Sequence, residues 1–222
     1  LAERPEFLDA LIAAAGRDAP LIPAAARGVA AHRPTIEGYR AIAALACPDE
    51  QVRRAALRTV GEALNTGALL SAADETGSDA ATTQWLLERA RTQAQDLVVT
   101  GDPAGDALLS EAAERLARLY LELARPAEAL AALDAVPSGP TDSRFNPLRT
   151  VALVVLGRLD EAEALQADAA IWLEALERSI ALPHAARVVE VILERFGSTL
   201  TPAQGERLAS LRARLPRPTD PG

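Results

Sequence analysis

Residues 108–123 read LLSEAAERLARLYLEL, and the spacing of their apolar positions decides the fold class. Leu108, Ala112, Leu116, Leu119, Tyr120 and Leu123 recur at three- and four-residue steps, the period of one face of an α-helix. Working outward, the same period returns at Leu165, Ala169, Trp172, Leu173, Leu176 and Ile180. It returns again at Ala185, Val188, Val189, Ile192 and Phe196, and at Leu208, Leu211 and Leu215. Upstream, helices are expected over 5–15, 21–31, 36–46 and 49–64, with a short one over 69–73. A long helix is expected over 79–99, its inner face carrying Trp85, Leu86, Ala90, Ala94 and Leu97. No segment shows the period-two alternation of a half-buried strand.

The breaks between these segments have their own chemistry. Thr201, Pro202 and Gln204 spell a capping box with proline in the first helical turn. Pro103 behind Asp102 is a second start signal, and Gly197 is expected to close its helix in the left-handed conformation. Pro48, Pro126, Pro137 and Pro183 mark other boundaries.

Composition agrees with helices. Hydrophobic residues make up 49% of the chain but aromatics only 3%, so alanine and leucine must supply the core. Alanine is the best helix former, and the residues that favour strands are sparse. All 23 basic residues are arginine, and against 31 Asp and Glu they leave a net charge of -8. That balance speaks against a broad nucleic-acid surface. The arginine bias is what a high-GC bacterial source would produce. No apolar run approaches the roughly 18 residues of a membrane span. Leu1 in place of methionine leads us to expect a processed or excised part of a longer product, in the bacterial periplasm or cytoplasm. Domain organisation is expected to be one helical domain over 1–215, with possible halves 1–75 and 79–215, followed by a disordered tail over 216–222.

Leu116, Ala117, Tyr120, Ala129 and Leu133 have the relative spacing of the tetratricopeptide pattern, and Gly157 to Ala162 resembles the turn between the two helices of such a repeat. Ala129 and Ala162 stand 33 residues apart, against about 34 for the family. The second unit departs from the pattern at Thr150, Leu153 and Gln166, where the family prefers a small, an aromatic and a large apolar residue. Pro140 approximates the closing proline. Pro48 to Leu57, followed by Gly61, looks like the second helix of a HEAT-type repeat. Both resemblances imply an all-α fold of antiparallel helix pairs stacked as a short α-solenoid, tetratricopeptide-like and right-handed. They also imply a concave binding surface, onto which the tetratricopeptide match would place Glu114, Arg118, Leu121 and Glu122, with Val151 and Val154 from the following unit.

Residues that could carry chemistry are few. Nucleophilic catalysis needs a base beside an activated group, and the two histidines, His32 and His184, sit at helix boundaries where a solvated or capping role is expected. Cys47 is expected to be a small buried hydrophobe. Asp160, Glu161 and Glu163 begin a helix, where negative charge favours the helix dipole, and they lack calcium-loop spacing. Arg53, Arg54 and Arg58 read as a solvated face, as do Arg207, Arg212, Arg214 and Arg217, although the latter group could meet an acidic partner. Trp85 and Trp172 lie in apolar stripes and are expected in the core. No cofactor or metal is expected. The function that follows is non-enzymatic: a scaffold or adaptor binding another protein, as a peptide or a helix. Two alternatives are a structural subunit of a bacterial envelope assembly using an edge interface, and an all-α enzyme with a dispersed site.

Overall fold

The computed structural model describes residues 7–76, 79–137 and 142–216. Among the described residues the regular structure is all helical, with no strand. They form α1 (Leu8–Ala15), α2 (Ile22–His32), α3 (Ile36–Ala43), α4 (Glu50–Gly61), α5 (Thr66–Glu75), α6 (Ala80–Val99) and α7 (Gly105–Glu122). These continue as α8 (Pro126–Asp134), α9 (Asn146–Val155), α10 (Leu159–Ala164), α11 (Ala169–Ser179), α12 (Ala185–Phe196) and α13 (Pro202–Ala213). Short 3-10 turns at Ala19–Leu21 and Ser143–Phe145 lead into α2 and α9. The end of the tail expected over 216–222 lies outside the described residues.

Helix starts follow local hydrogen bonding. Side chains of Thr35, Asp49, Asn65, Asp79 and Asp168 each accept a backbone N–H from the first turn that follows, satisfying donors that have no partner inside the helix. Thr201 and Gln204 form the expected capping box at α13. The short helix expected over 69–73 is longer, because Asn65 caps it at Ala68 N, 2.9 Å away. Two expectations are corrected. Gly197 has a right-handed φ of -51°, so α12 does not end through a left-handed glycine. The stripe expected to run from Leu165 to Ile180 breaks after Leu165, because Gln166 turns into the left-handed region at φ 55° and Asp168 restarts the helix by accepting Ile171 N at 3.0 Å.

The chain divides into two compact units, Leu1–Leu116 and Ala117–Gly222, with the boundary inside α7. In the first, α2 packs on α1, α3 and α4, α3 packs on α4 and α5, and α6 packs on α4 and α5. In the second, α9 packs on α8, α10 and α11, and α11 packs on α12 and α13, which also touch each other. Helices therefore meet their immediate neighbours and also helices two places along. Alanine lines many of these contacts: Ala25, Ala26, Ala90, Ala94, Ala129, Ala152 and Ala175 are fully buried.

The ends of α7 and α9 share one construction, whose backbone turn also closes α6 at Gly101. Arg125 N donates to Tyr120 O at 2.7 Å and Ala124 N to Leu121 O at 3.2 Å; thirty-three residues later, Arg158 N donates to Leu153 O at 2.9 Å and Gly157 N to Val154 O at 3.0 Å. The turning residues Ala124 and Gly157 have φ of 56° and 75°, which makes both ends Schellman motifs. Each turn is followed by an ion pair three residues long, Arg125 with Glu128 and Arg158 with Glu161. At Gly157 a Cβ would also come within 3.3 Å of His184 Nδ1. Gly157→Ala is therefore expected to lower stability by about 1–2 kcal/mol, and Ala124→Gly to cost nothing or to stabilise, because an L side chain in this region is strained. Denaturant midpoints of the two variants check this.

Candidate functional site

The six residues assigned to a partner surface separate by burial. Arg118 and Glu122 are exposed on the part of α7 that belongs to the second unit, one helical turn apart, and Glu114 is half-buried on the part that belongs to the first. Leu121, Val151 and Val154 are interior, at 6%, 1% and 0% exposure. The carbonyl of Leu121 accepts from Arg178 Nη1 of α11 at 3.1 Å, and that of Val154 accepts from His184 Nε2 at 2.7 Å. These three aliphatic side chains hold the second unit together and cannot serve as anchors for a partner in this conformation.

The groups that could do chemistry are placed structurally. His184 stands at the N-cap position of α12, yet its ring does not cap that helix. It donates instead to the end of α9, which fixes the proton on Nε2. His32 is exposed at the last position of α2. Cys47 is half-buried, and its thiol donates to Asp49 O at 3.1 Å. Asp160 and Glu161 lie in the first turn of α10 as expected. Among the described residues no three His, Cys, Asp or Glu side chains gather where they could hold a metal ion. No helix among them is long and apolar enough to cross a membrane.

Arg53 and Arg54 are clasped rather than merely solvated. Asp79, the N-cap of α6, has a side chain only 8% exposed and lies 3.2 Å from Arg54 Nε and 3.6 Å from Arg53 Nη2. Both arginines also pair with Glu50 one turn earlier on α4. Burial pushes the Asp79 carboxyl upward, but hydrogen bonds from the Thr82 hydroxyl and backbone and the charge of Arg54 outweigh it and hold the group below its ordinary value. Beside them, burial pushes the Tyr39 hydroxyl up to about 12, so it stays neutral. Arg58 lies 5.7 Å from the ring centre of Trp85. Trp85 is half-buried against α4, where a Cβ on Gly61 would come within 2.7 Å of its Cζ3. Trp172 is fully buried, with Arg195 at 5.8 Å from its ring centre.

A cavity of about 550 Å³ in the first unit is lined by Asn65, Thr66, Gln93, Asp96, Leu97 and Leu108, among others. Its inner polar groups already satisfy one another: Thr66 Oγ1 donates to Gln93 Oε1 at 3.2 Å, and Gln93 Nε2 donates to Leu64 O at 3.0 Å. The sequence did not reveal this bridge, because neither residue belongs to a motif and they meet only when α5 folds onto α6.

Set against protein-family models, curated proteins and solved structures, the chain matches none. The Asp79 clasp is expected to be structural. Asp79→Ala should cost about 1–2 kcal/mol at neutral pH, the loss of an N-cap and of its arginine partners. Because the folded carboxyl titrates below its unfolded value of 3.8, its contribution is present above that value and is lost as pH falls through the folded pKa. Chemical denaturation at neutral and acid pH should show the variant and the parent converging at low pH.

Proposed function

We propose that the chain is a helical-repeat interaction module, a non-enzymatic scaffold that binds a peptide segment or a helix of another protein. In this reading the helix pairs stack as a short right-handed solenoid, and the concave face carries the partner. The observation that supports it most is the recurrence, 33 residues apart, of the same turn and following arginine–glutamate pair at the ends of α7 and α9, together with packing of α2 on α4, α3 on α5, α9 on α11 and α11 on α13. Stacked repeats need both features, since a single helix pair cannot bury its own apolar face.

On the concave face, recognition by α7 falls to Arg118 and Glu122, because Leu121 and the two valines are spent on the core. Charges four residues apart on one exposed stripe orient a partner more than they stabilise the fold. A second reading, a subunit that docks through an edge of the stack, is favoured by the 44% exposure of Leu193 on α12.

Arg118→Glu is expected to weaken a partner recovered from the source organism by about tenfold or more, as loss and reversal of one interfacial charge does, while the melting temperature stays within a few degrees. Calorimetric titration of the purified pair measures this. Unchanged affinity would remove α7 from the interface.

A further inference from the structure

Between α12 and α13 lies an open depression of about 440 Å³, lined by Leu193, Leu200, Gly205, Leu208, Ala209, Arg212 and Ala213. On the other side of Arg212 a second depression of about 310 Å³ is lined by Leu182, Pro183, Ala185, Ala186, Leu215 and Pro216. Among the described residues Arg212 is the one charged side chain lining either of them, and it lines both. Its guanidinium has no ion-pair or hydrogen-bond partner among the described residues. Of the neighbouring cations, Arg207 pairs with Glu177 and Arg187 with Glu190 and Glu194, while Arg214, exposed two residues on, lines neither depression.

We infer that this α12–α13 face is a docking groove for an amphipathic helix of a partner protein that carries a carboxylate beside its apolar anchors. Charge complementarity selects the occupant. A guanidinium flanked on both sides by apolar surface, with no carboxylate partner among the described residues, is matched by a segment that brings apolar side chains and one carboxylate together. A second copy of this chain is a poorer match, because each copy carries a net charge of -8 and the two repel.

Gly205 fits the same reading. A glycine inside a helix costs about 1 kcal/mol relative to alanine, and the usual reasons for one are missing here: its φ is not positive and a Cβ would meet nothing within 4 Å. Its effect is to leave the groove floor open beside Ala209 and Ala213. The inference rests on the proposed function only in taking the ligand to be another polypeptide, and it places that ligand on a different surface from α7.

The probe is a labelled synthetic helical peptide with leucines at three- and four-residue steps and glutamates beside them, compared with a counterpart in which lysines replace the glutamates. Fluorescence anisotropy with the whole chain is expected to show the acidic peptide binding about tenfold more tightly, and Arg212→Glu is expected to reverse that preference. Gly205→Phe puts a ring into the groove from a position whose Cβ would meet nothing within 4 Å, so it is expected to abolish binding of both peptides with helicity and melting temperature unchanged. Equal affinity for the two peptides, no binding by the parent chain, or binding that survives Gly205→Phe would overturn the inference. Loss on Arg118→Glu but not on Gly205→Phe would move the peptide to α7, overturning this inference and leaving the proposed function standing. Sedimentation showing dimers that Gly205→Phe dissociates would assign the groove to a second copy and overturn it as well.

Discussion

Alanine buries too little apolar surface for a core of isolated helix pairs. A methyl group contributes a small fraction of what a leucine or phenylalanine does when removed from water, and aromatics are only 3% of the chain. Two consequences follow. Helices approach closely, as Gly61 under Trp85 illustrates, and many of them pack on more than one neighbour. Contacts between helices two places apart, α2 with α4, α3 with α5, α9 with α11 and α11 with α13, supply the burial that adjacent pairs lack.

Close packing of short helices creates a second demand, since each helix ends in carbonyls with no partner inside it. In the second unit long polar side chains from later helices meet this demand. Arg178 of α11 reaches Leu121 O at the end of α7, His184 reaches Val154 O at the end of α9, and Arg195 of α12 reaches Glu163 O at the end of α10. A planar guanidinium on a long apolar stem suits the task, because the stem packs while the fork donates. The arginine bias of the chain therefore has a structural use besides solubility. The cations left over are those to look at for recognition, and Arg212 is one.

Helix type was legible because its signals are local. Period, proline placement and side-chain caps act within a few residues, and Thr201 with Gln204 declares α13 from sequence alone. What depended on distant contacts was not legible. The apolar residue types of Leu121, Val151 and Val154 say that each avoids water, but whether the neighbour that covers it is another helix of the chain or a partner is a tertiary fact. The break after Leu165 was hidden because Leu165 and Ala169 keep helical spacing across a turn set by the backbone of Gln166. His184 looked like a cap because of its position, while its ring is claimed by a carbonyl thirty residues earlier.

Helices two places apart stabilise one another. Leu173 of α11 is fully buried, and α11 touches α9, α12 and α13. Amide hydrogen exchange of Leu173→Ala under native conditions tests the claim directly. Truncation of a buried leucine removes about 2–5 kcal/mol, and where these helices depend on one another that loss appears as faster exchange of α9, α11 and α13 by a common factor. Faster exchange confined to α11, with α9 and α13 protected as before, would contradict the account.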